Sequence, residues 1–504
     1  MSNMPRHLIQ DRYQLYIGGA WCDASDGATF DSFCPANGER LCSFAEAAKS
    51  DVDAAVTAAW NAFPSWRAVP SKERSQILGR IADTMEQNLE LLAQVESMDT
   101  GKPIRETRTL CDVPQSIEHF RYFAGVACGE EGSAVMLDEA TMSIVLREPV
   151  GVVGQIVPWN YPLLMAAWKL APILASGCCT VFKPSSNTSL SVLVLMQLIQ
   201  DIVPPGVINV VTGSGSRCGQ YLLEHPDIRK LAFTGSTDVG ISVAHAAADK
   251  IIPATLELGG KSANIVFEDC DWELAMEGVM SGVLFNQGQD CGSGSRVFVQ
   301  KSIYDQFTTE LAHRFENIKI GLPWENDTVM GSMIHQKQLQ RVLDYVKTGC
   351  GEGAQLITGG IRVTEGELSK GYYIYPAILA HATNDMRVAQ EEIFGPVAVL
   401  IPFEDEQDVI HMANDNKYGL AGGVFSRNIN RALRVARAVE TGRMWVNTYG
   451  LHIAGAPYGG VKQSGYGREC SKSILRYYTY EKNVMINLTE NTSGINLGTD
   501  MKTQ

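Results

Sequence analysis

The 504-residue chain has no apolar run long enough to cross a membrane. The longest candidate, Leu163 to Cys179, is interrupted by Lys169 and Pro172. Residues 1–12 are polar and have no apolar core, a pattern that predicts no secretory signal. We therefore expect a cytoplasmic protein that has no membrane partner.

Positive charge is also scarce. Lys and Arg number 42 and Asp and Glu number 56, which gives a formal net charge of -14. Nucleic acids and anionic membranes are bound by basic surfaces, so neither is expected as a partner. Hydrophobic residues make up 45% of the chain and charged residues 19%, as in ordinary globular proteins. A chain of this length predicts roughly three domain-sized units.

Paired cysteines are missing as well. The twelve cysteines are dilute and include no Cys-x-x-Cys, and no Cys/His cluster has the spacing of zinc ligands. The nine histidines form no His-Glu-x-x-His. We therefore expect reduced thiols and no metal site.

Short β-rich runs alternate with helical runs from residue 151 to residue 257. This alternation predicts a parallel, doubly wound sheet of the dinucleotide-binding kind. A second αβ series is expected from residue 259 to about residue 460. Upstream, apolar residues at three- and four-residue spacing predict one helix over Ser71 to Ser97. The strands predicted in the first series are Gly151 to Val157, Thr180 to Lys183, Val207 to Val211, Lys230 to Phe233 and Ala254 to Leu258.

One cysteine stands in an unusual setting. Cys291 lies among small and amide residues in the sequence Asn-Gln-Gly-Gln-Asp-Cys-Gly-Ser-Gly-Ser-Arg. A helical apolar run, Leu274 to Phe285, precedes this stretch, and a strand-like run, Arg296 to Gln300, follows it. The thiol is therefore predicted on a tight loop that a substrate carbon can approach. A half-buried structural cysteine fits the loop equally well.

A carboxylate upstream of this loop is the natural partner for such a thiol. Glu257 lies in the sequence Leu-Glu-Leu-Gly-Gly-Lys-Ser, in an apolar setting that would raise its pKa and keep it usable as a base. Together the two stretches resemble the aldehyde dehydrogenase superfamily, in which ELGGKS and NQGQxC recur at this separation. The resemblance extends from Tyr16 to Lys482.

The resemblance implies an α/β fold with three parts. A doubly wound dinucleotide-binding domain would comprise residues 1–129 and 149–258, and a second αβ catalytic domain residues 259–473. A small β hairpin, residues 130–148 with 474–490, would build the contact of a homo-oligomer, a dimer or a tetramer, in which the segment Tyr477 to Leu488 pairs with a neighbouring subunit. Residues 491–504 would form a tail.

The resemblance also implies a catalytic cycle. Cys291 would attack an aldehyde carbon, and the Asn160 amide would join the Cys291 backbone N–H in stabilising the oxyanion. Glu257 would then activate water to hydrolyse the thioester. This acid is usually absent from relatives that pass the acyl group to coenzyme A, so a free carboxylic acid is the expected product. Lys169 and Glu469 match positions behind Glu257 that relay its proton, although a structural ion pair fits them equally well.

NAD or NADP is the cofactor that the resemblance implies. A Gly-Ser-Thr turn before a predicted helix suits a diphosphate, and it also suits simple helix capping. At Ser186 the family often has Glu, which repels a 2′-phosphate, so Ser186 makes NADP plausible. The residues expected at the cofactor are Ile156, Pro158, Trp159, Lys183, Ser186, Gly215, Gly235, Ser236, Gly240, Leu258, Glu392 and Phe394.

Two substrate classes compete. The overall pattern looks closest to bacterial dehydrogenases of small aliphatic aldehydes. Aromatic side chains beside Asp290 would instead suit a cation, as in ω-aminoaldehydes or betaine aldehyde. The residues expected to line the aldehyde tunnel are Tyr161, Met165, Trp168, Asp290, Leu451, His452 and Tyr458. Some relatives are structural proteins without activity, but Cys291, Glu257 and Asn160 are all present here.

Overall fold

The computed structural model describes residues 4–129 and 131–490. The tail predicted at residues 491–504 lies outside the described residues. The helices are α1 (Lys49–Arg67), α2 (Ser71–Gln87), α3 (Leu89–Thr100), α4 (Asp112–Val126), α5 (Pro162–Ser176), α6 (Leu190–Ile199), α7 (Gln220–Glu224), α8 (Thr237–Lys250), α9 (Trp272–Leu284), α10 (Tyr304–Glu316), α11 (Gln336–Glu352), α12 (Arg387–Gln390), α13 (Glu406–Asn414), α14 (Ile429–Ala438) and α15 (Leu475–Tyr478).

The first sheet has eight strands in the order β22-β12-β11-β8-β9-β10-β2-β3. Its five central strands are parallel, and the three at its edges are antiparallel to their neighbours. The strands are β2 (Leu15–Ile17), β3 (Ala20–Cys22), β8 (Val152–Ile156), β9 (Cys179–Lys183), β10 (Ile208–Val210), β11 (Lys230–Thr234), β12 (Ala254–Glu257) and β22 (Gly465–Tyr466). The predicted doubly wound sheet is confirmed, and each predicted strand ends within one residue of the observed one.

The second sheet has seven strands in the order β15-β16-β17-β14-β13-β19-β20. All are parallel except β15, which pairs antiparallel with β16. Separate apolar clusters cover its two faces, one containing Ile265 and Val399 and the other Val266 and Leu400. The strands are β13 (Ala263–Val266), β14 (Arg296–Gln300), β15 (Gln355–Thr358), β16 (Ala377–Ala380), β17 (Val397–Phe403), β19 (Ala421–Phe425) and β20 (Arg443–Val446).

A third sheet of three antiparallel strands has the order β23-β7-β6. Its strands are β6 (Ser133–Met136), β7 (Thr141–Pro149) and β23 (Thr479–Asn487). β23 pairs along its whole length with β7 of the same chain. One edge of β23 therefore pairs with β7 of its own chain. The predicted pairing with a neighbouring subunit would use the other edge of β23.

The remaining strands form two small sheets. One has the order β1-β5-β4, and the other pairs β18 with β21. These strands are β1 (Arg12–Tyr13), β4 (Thr29–Phe33), β5 (Arg40–Ala45), β18 (Tyr418–Gly419) and β21 (Val461–Lys462). Within the described ranges, no helix combines the length and the apolarity that crossing a membrane requires.

The single helix predicted over Ser71 to Ser97 is wrong. The chain forms α2 and α3 instead, separated at Asn88, whose φ of -113° lies outside the helical region. The Asn88 side chain donates to the carbonyl oxygen of Thr84 at 2.8 Å and so ends α2. Short polar side chains of this kind compete with helix hydrogen bonds, and the apolar periodicity runs through the break without marking it.

Candidate active site

Cys291 lies on an irregular loop between α9 and β14. The loop begins with Asn286, Gln287 and Gly288, whose φ values are 49°, 55° and 68°. Left-handed backbone is disfavoured for residues that carry a Cβ, so such a turn needs support from its surroundings. The Asn286 side chain supplies part of it by donating to the carbonyl oxygens of Asn160 and Gln289 at 2.9 and 3.0 Å.

The predicted amide donor lies against the same loop. Nδ2 of Asn160 donates to the carbonyl oxygen of Gln289 at 2.9 Å. An amide nitrogen carries two hydrogens, so one of them remains for a ligand atom. Asn160 is buried, with 5% of its surface exposed. The structure therefore brings Asn160 to the cysteine loop at Gln289, which lies two residues before Cys291.

The Cys291 thiol is half-buried and lies beside a tyrosine hydroxyl. Its Sγ lies 3.6 Å from the Tyr458 hydroxyl oxygen. Burial raises the pKa of the thiol well above its ordinary value, and Asp290 raises it further. The hydrogen bond with Tyr458 acts in the opposite direction, because it favours the thiolate.

Glu257 ends β12 and is buried, with 4% of its surface exposed. Neither carboxylate oxygen has a hydrogen-bond partner among the described residues. Burial raises the pKa of Glu257 well above its ordinary value, and Glu469 adds to the shift, whereas Lys169 and Arg468 oppose it. An acid that holds its proton easily and has free oxygens is suited to exchange a proton with water.

Lys169 and Glu469 form a fully buried ion pair through Nζ and Oε1. The second Glu469 oxygen, Oε2, has no partner among the described residues. Glu469 and Tyr458 exchange both backbone hydrogen bonds, at 3.1 and 2.7 Å. The ion pair is thus connected through one short antiparallel bridge to the tyrosine beside Cys291.

The cofactor residues expected on the first sheet lie along one edge. Register pairs Ile156 with Lys183 and with Phe233, and Thr234 with Glu257, so the carboxyl ends of four parallel strands meet there. Ligands of open parallel sheets bind beyond this edge. Lys183 reaches the carbonyl oxygen of Pro184 at 3.0 Å, and Pro158, Trp159 and Ser186 follow β8 and β9 in half-buried turns.

The turn into α8 fits a diphosphate. The hydroxyls of Thr234 and Thr237 are buried and have no partner among the described residues. Ser236 caps the helix without a side-chain hydrogen bond, and the first N–H groups of a helix lack partners within it. A Cβ on Gly240 would lie 2.3 Å from Leu258, so glycine lets α8 approach the sheet. Gly235 donates to the Glu257 carbonyl oxygen at 3.0 Å.

Gly215 lies farther along this edge of the sheet. It begins a short π-helical turn after β10. No atom lies within 4 Å of the place where a Cβ would be. The space beside Gly215 is therefore open.

The residues expected at the nicotinamide half lie on a different segment. Oε1 of Glu392 accepts the backbone N–H of Gly260 at 3.0 Å. Burial raises the pKa of Glu392 to about 7. The rings of Trp159 and Phe394 are 5.2 Å apart and nearly perpendicular. Phe394 has a φ of 62°, so its loop too is held in a disfavoured conformation.

A cavity of about 710 Å³ reaches the cysteine loop and includes Asp290 and Gly292 in its wall. Of the seven expected tunnel residues, Asp290, Leu451 and His452 line it. The other four, which do not line it, are buried behind the loop: Tyr161, Met165, Trp168 and Tyr458.

Trp168, Tyr458 and His452 form an aromatic cluster. The Trp168 ring lies 5.4 Å from Tyr458 and 6.1 Å from His452. The Tyr161 hydroxyl donates to Asp290 at 2.8 Å. The cluster therefore shapes the wall behind the cysteine loop more than the cavity itself.

Sequence reasoning missed three contacts to the loop. Tyr449 donates to the carbonyl oxygen of Gly292 at 2.8 Å, and Gln289 accepts the backbone N–H of Ile334 at 3.0 Å. Glu106 accepts the backbone N–H of Asn286 at 3.0 Å. Each contact joins distant parts of the chain, and no local pattern in the sequence marks them.

Residues 21–484 match the aldehyde dehydrogenase family. Aldehyde dehydrogenase B of Escherichia coli (strain K12) is 46% identical over 494 residues, which cover 97% of this chain and 96% of that protein. The chain belongs to the aldehyde dehydrogenase family, and the predicted membership is confirmed.

Two solved structures support the same conclusion. A mutant aldehyde dehydrogenase from Bacillus cereus superposes with a TM-score of 0.93 at 41% identity, covering 95% of this chain and 97% of that one. Betaine aldehyde dehydrogenase from Staphylococcus aureus in complex with NAD+ also has a TM-score of 0.93. It is 38% identical and covers 96% of each chain. The predicted fold class is confirmed.

Proposed function

We propose that this enzyme oxidises an aldehyde to its carboxylic acid with NAD or NADP, through a covalent intermediate on Cys291. The observation that carries the proposal is the arrangement around the thiol. Asn160 lies against the cysteine loop, and Glu257 has two buried oxygens that find no hydrogen-bond partner in the described part of the chain. A nucleophile, an oxyanion donor and a base are the three groups that such chemistry needs.

In the first step the Cys291 thiolate attacks the aldehyde carbon. The new S–C bond opens the carbonyl double bond, and the oxygen becomes an oxyanion. The second hydrogen on Nδ2 of Asn160, together with the Cys291 backbone N–H, stabilises that charge. A nicotinamide held beside Glu392 and Phe394 would accept the hydride that leaves the carbon, so the carbon would remain on Cys291 as a thioester.

In the second step Glu257 takes a proton from water while the water oxygen attacks the thioester carbon. The C–S bond breaks, the thiolate of Cys291 is restored, and the product leaves as a carboxylic acid. Glu257 must be ionised to accept the proton, so its raised pKa delays this step at low pH. Water as the acyl acceptor follows from the presence of Glu257.

The cofactor would lie along the carboxyl edge of the first sheet. The unpartnered hydroxyls of Thr234 and Thr237 and the N-terminus of α8 support a diphosphate there. Ser186 makes no hydrogen bond within the described ranges and carries no charge. A 2′-phosphate would meet no repulsion from it, which supports use of NADP as well as NAD.

A small aliphatic aldehyde is the substrate class that we favour. The Arg443 guanidinium already lies 5.4 Å from the Tyr458 ring and 5.9 Å from the Trp445 ring. A second cation brought to this aromatic cluster would be repelled. The Asp290 carboxylate, in turn, accepts hydrogen bonds from Tyr161 and from the Gly292 backbone, which reduces its pull on a ligand.

An ω-aminoaldehyde or betaine aldehyde remains the second candidate. Asp290 lines the cavity beside the nucleophile, and a negative charge there attracts a cationic substrate. A solved relative from Staphylococcus aureus is a betaine aldehyde dehydrogenase. The two candidates differ in what they require of Asp290, so they can be separated by rate measurements.

We also propose a cytoplasmic homo-oligomer, a dimer or a tetramer. All twelve cysteines are free, as expected in a reducing compartment. The third sheet exposes Val135, Met136 and Met485, with 49–55% of each surface accessible. Apolar side chains on a sheet with an open edge support a subunit contact. We propose that residues 130–148 with 474–490 make this subunit contact. Residues 1–129 with 149–258 would form the dinucleotide-binding domain, and residues 259–473 the catalytic domain.

The experiment measures initial rates of NAD(P)H formation with acetaldehyde, 3-aminopropionaldehyde and betaine aldehyde, each with NAD and with NADP. We expect the highest kcat/KM for acetaldehyde. A preference for the cationic aldehydes would establish the second candidate. Cys291→Ala should abolish turnover and retain dinucleotide binding, and full turnover by that variant would refute the covalent mechanism.

A further inference from the structure

A carboxylate from a distant helix supports the turn that precedes Cys291. Asn286 and Gln287 are left-handed and carry side chains, so their conformation is strained. The backbone N–H of Asn286 donates to Oε2 of Glu106 at 3.0 Å, across 180 residues of sequence. Both partners are buried, with 1% of each surface exposed, so losing the bond would leave the Asn286 N–H with little access to water.

The local structure at Glu106 is also unusual. Glu106 begins a π-helical turn, Glu106–Leu110, between α3 and α4. Such turns hold one extra residue, are rare, and occur frequently at functional sites. Glu106 lines the cavity that reaches Asp290, together with its neighbours Arg105, Leu110 and Cys111. The turn therefore places Glu106 where the cavity wall meets the start of the cysteine loop.

Keeping a carboxylate at this position is costly. Burial raises the pKa of Glu106 to about 8, although Lys102 opposes the shift. An apolar side chain of the same size would fill the space without that cost. Unlike an apolar side chain, a side chain with a hydrogen-bond acceptor can bond to the Asn286 N–H and so stabilise the left-handed turn.

We propose that Glu106 is a positioning residue for the nucleophile. By accepting the Asn286 N–H it fixes the left-handed turn, and the turn sets the orientation of the Cys291 thiol. This inference rests on the proposed role of Cys291 as the nucleophile. Glu106 acts through the backbone of the loop and takes no part in bond making or breaking.

The test compares two substitutions at one position. Glu106→Gln keeps an acceptor oxygen, whereas Glu106→Leu has a similar size and no acceptor. In the holoenzyme we expect Glu106→Leu to lower kcat with acetaldehyde about tenfold, the size expected when a buried N–H loses its partner. KM should stay within about twofold, and Glu106→Gln should recover kcat to within about threefold of wild type.

A second readout follows the thiol itself. The alkylation rate of Cys291 by iodoacetamide is measured by peptide mass spectrometry, with the exposed Cys350 as internal reference. Glu106→Leu should slow alkylation of Cys291 about as much as it lowers kcat and leave Cys350 unchanged. This readout needs neither substrate nor cofactor, so it separates thiol positioning from substrate binding.

Asp99→Asn is the matched control. Asp99 is fully buried, and its Oδ2 accepts the Leu190 backbone N–H at 3.0 Å, but it does not contact the cysteine loop. It should lower the melting temperature and leave Cys291 alkylation unchanged. If Glu106→Leu does not fold, Glu106→Asp keeps the carboxyl group, shortens the side chain by one carbon so that it no longer reaches the Asn286 N–H, and should show the same loss.

Three outcomes would overturn the inference. They are a destabilised Glu106→Leu with normal Cys291 alkylation, a rise in KM alone, and failure of Glu106→Gln to recover activity. The rise in KM alone would mean that Glu106 contacts the substrate directly. Full turnover by Cys291→Ala, by contrast, would refute the proposed function itself and is measured separately.

Discussion

The Sγ of Cys291 lies 3.6 Å from the hydroxyl oxygen of Tyr458. Burial and Asp290 raise the pKa of this thiol, and the tyrosine hydroxyl lowers it. Only the thiolate attacks an aldehyde. The amount of reactive thiolate at a given pH therefore depends on a tyrosine that is bonded through its backbone to Glu469.

Tyr458→Phe should raise the pKa of the Cys291 thiol, because the hydrogen bond that favours the thiolate is lost. The rate of Cys291 alkylation at pH 8 should fall roughly three- to tenfold, a pKa change of up to about one unit. The midpoint of the alkylation rate against pH should move to higher pH.

Tyr449→Phe is the control for this prediction. The Tyr449 hydroxyl donates to the Gly292 carbonyl oxygen of the same loop rather than to the sulfur. Its loss should leave the alkylation midpoint in place. A midpoint that does not move in Tyr458→Phe would show that another group sets the reactivity of the thiol.

Glu257→Gln should separate function from stability. A hydride burst should be followed by a stalled thioester, because the amide cannot take a proton from water. Stability should rise at the same time. The folded pKa of Glu257 lies well above its ordinary value of 4.5, so the wild-type protein is most stable below that value and loses stability as pH rises toward the folded pKa.

The variant lacks this titration. Its advantage in unfolding free energy should therefore grow by about 1.4 kcal/mol per pH unit above 4.5 until the folded pKa is reached. Denaturant unfolding at pH 5 and pH 8 measures the difference. An equal advantage at both pH values would mean that Glu257 is ionised in the folded state throughout.

The parts of the fold and of the site that could be predicted from the sequence are mostly those with a local cause in the chain. The five central strands of the first sheet were predicted within one residue, because β-rich runs and helices alternate along that part of the chain. The roles expected for Cys291 and Glu257 came from two short motifs. The bond between Glu106 and Asn286 had no such signal, because it joins residues 180 positions apart.

The helix break at Asn88 has a local cause, yet the sequence pattern did not predict it. Apolar spacing continues from α2 into α3, and the break depends on one side chain that bonds to its own backbone. The packing of the expected tunnel residues could not be predicted for a related reason. Resemblance named Trp168 and Tyr458, but their packing behind the loop follows from the crossing of distant segments.

Ser186→Glu should shift cofactor preference toward NAD. A carboxylate at this turn would repel a 2′-phosphate, and the ratio of kcat/KM for NADP to that for NAD should fall at least about tenfold. Asn187→Glu adds the same charge at the next residue, which is exposed, and serves as the control. Similar ratios in Ser186→Glu and wild type would assign the preference to other residues.

Lys169 and Glu469 allow a test of whether a buried ion pair works in catalysis or only in folding. Lys169→Met alone leaves the buried Glu469 unpaired and should lower the free energy of unfolding by about 3–5 kcal/mol. Replacing both partners, Lys169→Met with Glu469→Leu, should bring stability back to about the wild-type value, since apolar pairs often replace buried ion pairs without loss.

The double variant then reports on catalysis without the stability defect. If the pair relays the Glu257 proton, the hydride burst should be normal and steady-state turnover should fall about tenfold, because only the hydrolysis step uses that proton. Rapid-mixing measurements of NADH formation resolve the two phases. Wild-type turnover in a stable double variant would assign the pair to the fold alone, whereas loss of the burst as well would place its effect at the thiol.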